Sequence, residues 1–163
     1  MQTDTPYPRR PTILIVDDTP ANLDVIAKGF ERDGVRVVVA QDGEEGLRRA
    51  TFVHPDLILL DIMLPGIDGF EVCRRLQQDE CTRAIPVIFM TALLDIESKV
   101  TAFKAGAVDY VTKPFKIDDV VARVWTHLNL REMQTLLAER NDRLQREIEE
   151  RKVAERQLQG YRE

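Results

Sequence analysis

Short apolar runs alternate with amphipathic stretches along most of this chain, and each apolar run ends at a polar residue or a turn. Ile13–Val16, Val35–Ala40, Leu57–Asp61, Pro86–Met90 and Asp109–Thr112 have the length and β-branched content of strands. Between them, Pro20–Asp33, Glu44–Thr51, Phe70–Gln77 and Asp95–Ala105 carry helical spacing. A last helix starts near Asp118. Punctuation agrees with these bounds. Thr19 is a candidate N-cap ahead of Pro20, and Gly34 follows the first helix. Asp68-Gly69 leads into the third helix, and Gly106 ends the fourth. Strand and helix in strict alternation predict an α/β fold: a doubly wound, five-stranded parallel sheet covered on both faces. The expected strand order is 2-1-3-4-5, flavodoxin-like, with the topological switch point beside strands one and three.

The last helix does not stop where a compact domain would end it. From Phe115 onward there is no proline, and the only glycine is Gly160. Beyond His127, Leu130, Leu137, Leu144 and Leu158 share one heptad phase at d, broken by Arg151. The a positions are His127, Gln134, Asn141, Ile148 and Glu155. This pattern predicts a coiled coil over residues 127–163 and a homodimer through it, with Asn141 favouring two parallel strands in register. Glu147 at g and Lys152 at the next e pair between chains in that arrangement. The expected organisation is a loose tail at 1–10, one domain at 11–126, and the stalk.

Composition narrows the function classes. The chain has 163 residues, 44% hydrophobic and 31% charged, with a net charge of −5. The acidic balance argues against a direct nucleic-acid surface. No apolar run is long enough to insert in a membrane. Met1–Arg10 is polar and lacks the apolar core of a signal peptide, so a cytoplasmic setting is expected. Cys73 and Cys81 fit neither a zinc spacing nor a disulfide framework and read as thiols.

The chemistry-bearing residues lie at strand ends. The first strand ends in Asp17-Asp18, and the third ends in Asp61 before Ile62-Met63-Leu64-Pro65-Gly66. Both strands open onto the sheet edge where ligands bind in such folds. Three crowded carboxylates repel one another, and a hard cation such as Mg²⁺ relieves that repulsion. Thr91 ends the fourth strand and Lys113 the fifth, on the same edge. A hydroxyl and an ammonium facing carboxylates suit a phosphoryl group.

Taken in order, Asp17-Asp18, Asp61, Thr91-Ala92 and Lys113-Pro114-Phe115 resemble the receiver domain of bacterial response regulators, over about residues 11 to 126. The resemblance implies that Asp61 accepts a phosphoryl group from a histidine kinase or a phosphotransfer protein. It implies Mg²⁺ held by Asp17, Asp18, Asp61 and the backbone carbonyl of Met63. Lys113 is expected to pair with Asp61 and then with the phosphoryl group, and the Lys113-Pro114 bond is expected to be cis. Ala92 keeps the pocket open, and Thr91 with Tyr110 forms the switch pair. Met63 and Leu93, at the two positions that influence attack by water, are apolar, which implies slow self-dephosphorylation.

Two rivals remain at this level. A Mg²⁺-dependent aspartyl phosphohydrolase of the haloacid-dehalogenase type carries a second Asp two residues beyond its nucleophile; Met63 stands there in this chain, so no general acid is supplied at that position. A non-phosphorylated dimeric adaptor has no use for the complete acid, threonine and lysine set. The expected protein is therefore not an enzyme beyond its own phosphorylation and dephosphorylation. His54 reads as a surface residue and Trp125 as packing. Residues 147–158 loosely resemble the signalling helices that precede sensor, histidine-kinase or diguanylate-cyclase domains, so an effector is expected beyond this chain.

Overall fold

A computed structural model describes residues 9–92 and 96–162. Five strands form one parallel sheet in the order β2-β1-β3-β4-β5. They are β1 (Thr12–Val16), β2 (Arg36–Ala40), β3 (Leu57–Asp61), β4 (Val87–Thr91) and β5 (Asp109–Thr112). The helices are α1 (Pro20–Phe30), α2 (Gly43–Val53), α3 (Gly69–Gln78), α4 (Ile96–Lys104) and α5 (Ile117–Gly160). The expected fold class and strand order are both observed.

Strand side chains alternate between two cores, as a period of two requires. Leu14, Val16, Ile58, Leu60, Val87 and Phe89 face one side and meet Ala50 of α2, Val72 and Leu76 of α3 and Ala102 of α4. Ile13, Ile15, Leu57, Leu59, Ile88 and Met90 face the other and meet Leu23, Ile26 and Phe30 of α1 and Val120, Val124 and Leu128 of α5. Strands buried on both faces explain why β3 and β4 read as unbroken apolar runs. Each fully buried Leu, Ile or Phe contributes about 1.5–3 kcal/mol.

The entries of α2 and α3 are set by side-chain caps. The Asp42 carboxylate accepts from the Glu45 N–H at 2.8 Å, and that of Asp68 from the Glu71 N–H at 2.8 Å. Thr19 occupies the N-cap position of α1 but makes no capping bond with its side chain. Its hydroxyl instead reaches the Asp18 carboxylate at 3.5 Å. The first helix is shorter than its pattern suggests. α1 ends at Phe30, where the Glu31 N–H bonds Lys28 O, and one 3₁₀ turn (Glu31–Asp33) follows. Gly34, at φ 68°, then reverses the chain, a conformation glycine adopts without steric cost. Trp125 packs against this region, its Nε1 donating to Asp33 at 3.4 Å.

At the start of the sheet, Asp56 ties β1 to β3. Its N–H donates to Thr12 O at 2.7 Å, and its carboxylate accepts the Thr12 N–H at 2.8 Å. Arg9 adds an ion pair at 2.9 Å. Asp56 is buried, so these bonds offset the cost of removing its charge from water.

The chain divides into two units, between Asn129 and Leu130. In the first, Leu128 is fully buried and His127 Nε2 lies 3.1 Å from the Asp109 carboxylate. In the second, residues 130–160 are helical, and Leu130, Leu137, Leu144, Ile148 and Leu158 are exposed. No described helix is long and apolar enough to cross a membrane. The tail expected at 1–10 falls mostly outside the described residues, as do Leu93 and the helix start expected at Asp95.

Candidate phosphoryl-acceptor site

The register of β1 on β3 pairs Val16 with Leu60. The next residues, Asp17 and Asp61, therefore leave the sheet side by side. Oxygens of Asp17, Asp18 and Asp61 all lie within 4.8 Å of one another. Asp17 and Asp61 are buried, and Asp18 is exposed. The three expected acids are thus brought together, with one open to water.

Lys113 bridges the two buried acids. Its Nζ donates to Asp61 Oδ2 at 2.8 Å and to Asp17 Oδ2 at 3.2 Å. The backbone places it there: the Lys113 N–H donates to Thr91 O at 2.7 Å, and the Lys113-Pro114 peptide is cis. Asp17 is held further by the Thr19 N–H at 2.8 Å and by Asn22 Nδ2 at 3.1 Å. Asn22 was not singled out by sequence. Its signal is modest, an amide in the first turn of the helix that follows the acid pair.

Burial pushes the Asp61 carboxyl above its ordinary value of 3.8, and the charge of Asp17 adds to the rise. The hydrogen bond and charge of Lys113 offset this only in part. For Lys113, burial pulls the ammonium down, but its bonds to Asp61 and the charges of Asp61 and Asp17 outweigh that and raise it. The ammonium therefore stays charged and stands against a carboxylate that is short of solvent.

Thr91 is buried at the end of β4 and pairs in register with Thr112. Tyr110 pairs with Phe89 instead. Its ring packs edge-on against Phe103 of α4 at 6.0 Å, with Lys99 Nζ 5.0 Å from the ring centroid. Met63 donates its N–H to Asp61 Oδ1 at 3.2 Å, while the residue is 68% exposed. The loop that carries it is closed by Gly69, whose N–H donates to Ile62 O at 2.8 Å. A Cβ on Gly69 would collide with Asp61 O and Ile62 Cα, so this approach requires glycine.

The donor set fits Mg²⁺. It is all oxygen, carries an excess of negative charge over the single ammonium, and reaches solvent through Asp18, which leaves room for the waters this ion retains.

Comparison with known proteins agrees with the geometry. Residues 13–125 match the family model "Response regulator receiver domain". The chain is 49% identical over 114 residues to the DNA-binding dual master transcriptional regulator RpaA of Synechocystis sp., covering 70% of this chain and 47% of that protein. It is 40% identical to the alkaline phosphatase synthesis transcriptional regulatory protein PhoP of Bacillus subtilis, covering 83% and 56%. The chain thus spans about half the length of these curated relatives. Among solved structures, a CheY-like response regulator receiver domain protein from Methanospirillum hungatei superposes with a TM-score of 0.72 at 29% identity, over 77% of this chain and 99% of that one. With the acids, the bridging lysine and the sheet order all in place, this chain belongs to the response regulator receiver domain family and serves phosphorelay signalling.

Proposed function

We propose that Asp61 is the phosphoacceptor and that its partner is a histidine kinase or a phosphotransfer protein. The Asp61 carboxylate attacks phosphorus in line. The donor's P–N bond breaks, and an acyl phosphate forms on Asp61. The observation that supports this most directly is Lys113 Nζ at 2.8 Å from Asp61 Oδ2, an ammonium already placed where phosphoryl oxygens arrive. In this reading Lys113 passes from the carboxylate to the phosphoryl group, and the Thr91 hydroxyl donates to it. Asp17, Asp18, Asp61 and the carbonyl of Met63 would hold Mg²⁺. When bound, the ion supplies positive charge that offsets the crowded acids and the incoming phosphoryl oxygens.

The switch pair is read the same way. Movement of Thr91 toward the phosphoryl group opens space beside Tyr110. The Tyr110 ring exchanges its contact with Phe103 for an inward position, altering the surface of α4, β5 and α5. A bias of a few kcal/mol between the two packings is enough.

The signal then passes along α5 to a homodimer. The exposed leucines of residues 130–158 have no cover in a single chain, and a second copy offers the matching stripe. The stalk expected from 127 is proposed to begin at Leu130, because His127 is turned to Asp109. Met63 and Leu93 favour a long-lived adduct. A cytoplasmic location and an effector joined beyond the stalk complete this reading.

Acetyl phosphate with Mg²⁺, followed by intact-mass and peptide spectrometry, tests the proposal. One phosphoryl group mapped to Asp61, and none on the Asp61→Asn chain, is the expected result. A chain that stays unmodified under these conditions overturns it.

A further inference from the structure

In an unbroken heptad the seam of the second unit turns charged after Ile148, at Arg151 and Glu155. Leu130, Leu137 and Leu144 repeat at d, and Ile148 follows at a. The next a position should continue the seam but holds Glu155. The apolar residue stands one place earlier, at Ala154, and Leu158 lies in the seam in either phase. From Ile148 the steps run to Arg151, Ala154 and Leu158, two steps of three in succession where a heptad alternates three and four. Such a three-residue insertion overwinds a coiled coil locally. Ile148 and Leu158 are both exposed.

Resting on the dimer reading above, we propose that two copies of this chain pair in parallel through a seam that shifts phase after Ile148, with Ala154 inside and Glu155 outside. Charge identifies the second copy as the occupant and selects this phase. A continuous heptad sets the Glu155 carboxylates of the two chains against each other at the axis, where like charges are poorly solvated. The shift turns Glu155 to the flank and brings in the small Ala154. Arg151 stays in the seam in either phase. In the shifted one its layer is flanked by Glu150 and Glu155 of both chains, so the arginine pair meets acids instead of standing uncompensated. Val153 lies outside the seam in both phases. Everything after Arg151 is thereby set at a different rotation from that of an unbroken heptad.

Cysteine cross-linking in the full chain decides the matter. Cys81→Ser removes the exposed thiol, and Cys73 stays because it is buried. Single cysteines are then placed by Leu144→Cys, Ala154→Cys and Glu155→Cys, and each chain is oxidised and run on a non-reducing gel. Ala154→Cys should cross-link about tenfold faster than Glu155→Cys, since only seam positions bring Cβ atoms within disulfide reach. The reverse order, or equal rates at the two, overturns the phase shift. Leu144→Cys lies in the seam in both phases. Failure there means that the parallel homodimer itself is wrong.

Discussion

Lys113 Nζ lies 2.8 Å from Asp61 Oδ2 although β4 separates their strands. The lysine side chain reaches over the end of β4 and touches Asp17 as well. One cation thereby links the ends of β1, β3 and β5. Removing it by Lys113→Ala leaves two buried carboxylates facing each other. The expected loss is about 1–3 kcal/mol in urea unfolding with EDTA present, and Mg²⁺ should restore part of it.

Asp61→Asn should abolish phosphorylation without weakening the fold. The Asp61 carboxyl titrates above its ordinary value in the folded chain because burial disfavours its charge. A raised carboxyl costs stability as pH climbs from 3.8 through the folded value, and that cost persists at neutral pH. The amide carries no charge to desolvate. Urea unfolding at pH 7 in EDTA should show the variant at least as stable as the parent.

Mg²⁺ should raise the melting temperature of the parent chain, since it binds the assembled acids and not the unfolded chain. At ten times its dissociation constant the gain is about 1.4 kcal/mol. Asp18→Asn, an exposed change, should abolish most of this shift while leaving the metal-free melting temperature nearly unchanged. Differential scanning calorimetry with and without the ion provides the check.

Gly69→Ala should destabilise by about 2–3 kcal/mol, because the added carbon meets backbone atoms that have no room to yield. The same variant should slow phosphorylation, as the disturbed atoms belong to Asp61 and Ile62. Alanine at Gly160, which has open space around it, serves as the control.

Asp109 ought to govern part of the acid limb of stability. Burial raises its carboxyl, but the Tyr110 N–H, His127 and Arg123 together bring it below 3.8. A depressed carboxyl contributes above its unfolded value and loses that contribution as pH falls from 3.8 through the folded value. The stability difference between the parent and Asp109→Asn should therefore be largest above pH 4 and shrink below it. Unfolding series at pH 3 to 7 measure this directly.

The sheet was legible because its strands are buried on both faces, so apolar runs such as Leu57–Leu60 needed no partner to be recognised. The acids were legible for a related reason: a carboxylate after such a run has nowhere to go but the sheet edge. The 3₁₀ turn at Glu31–Asp33 was not, since its residues suit either helix type and Gly34 decides the ending. Neither was the role of Asn22, which depends on the distance from one helix turn to the Asp17 carboxylate. His127 fits the heptad spacing of the stalk, yet its ring is turned to Asp109, which lies 18 residues earlier in the chain. Spacing along one helix cannot report a neighbour on another element.

The paired bonds between Asp56 and Thr12 act far from the chemistry, at the foot of β1 and β3. Asp56→Ala removes the carboxylate bond to Thr12 and the Arg9 ion pair but keeps the main-chain bond and the ladder from Ile13–Leu57 to Val16–Leu60, so a frayed foot need not reach the acids at the tips.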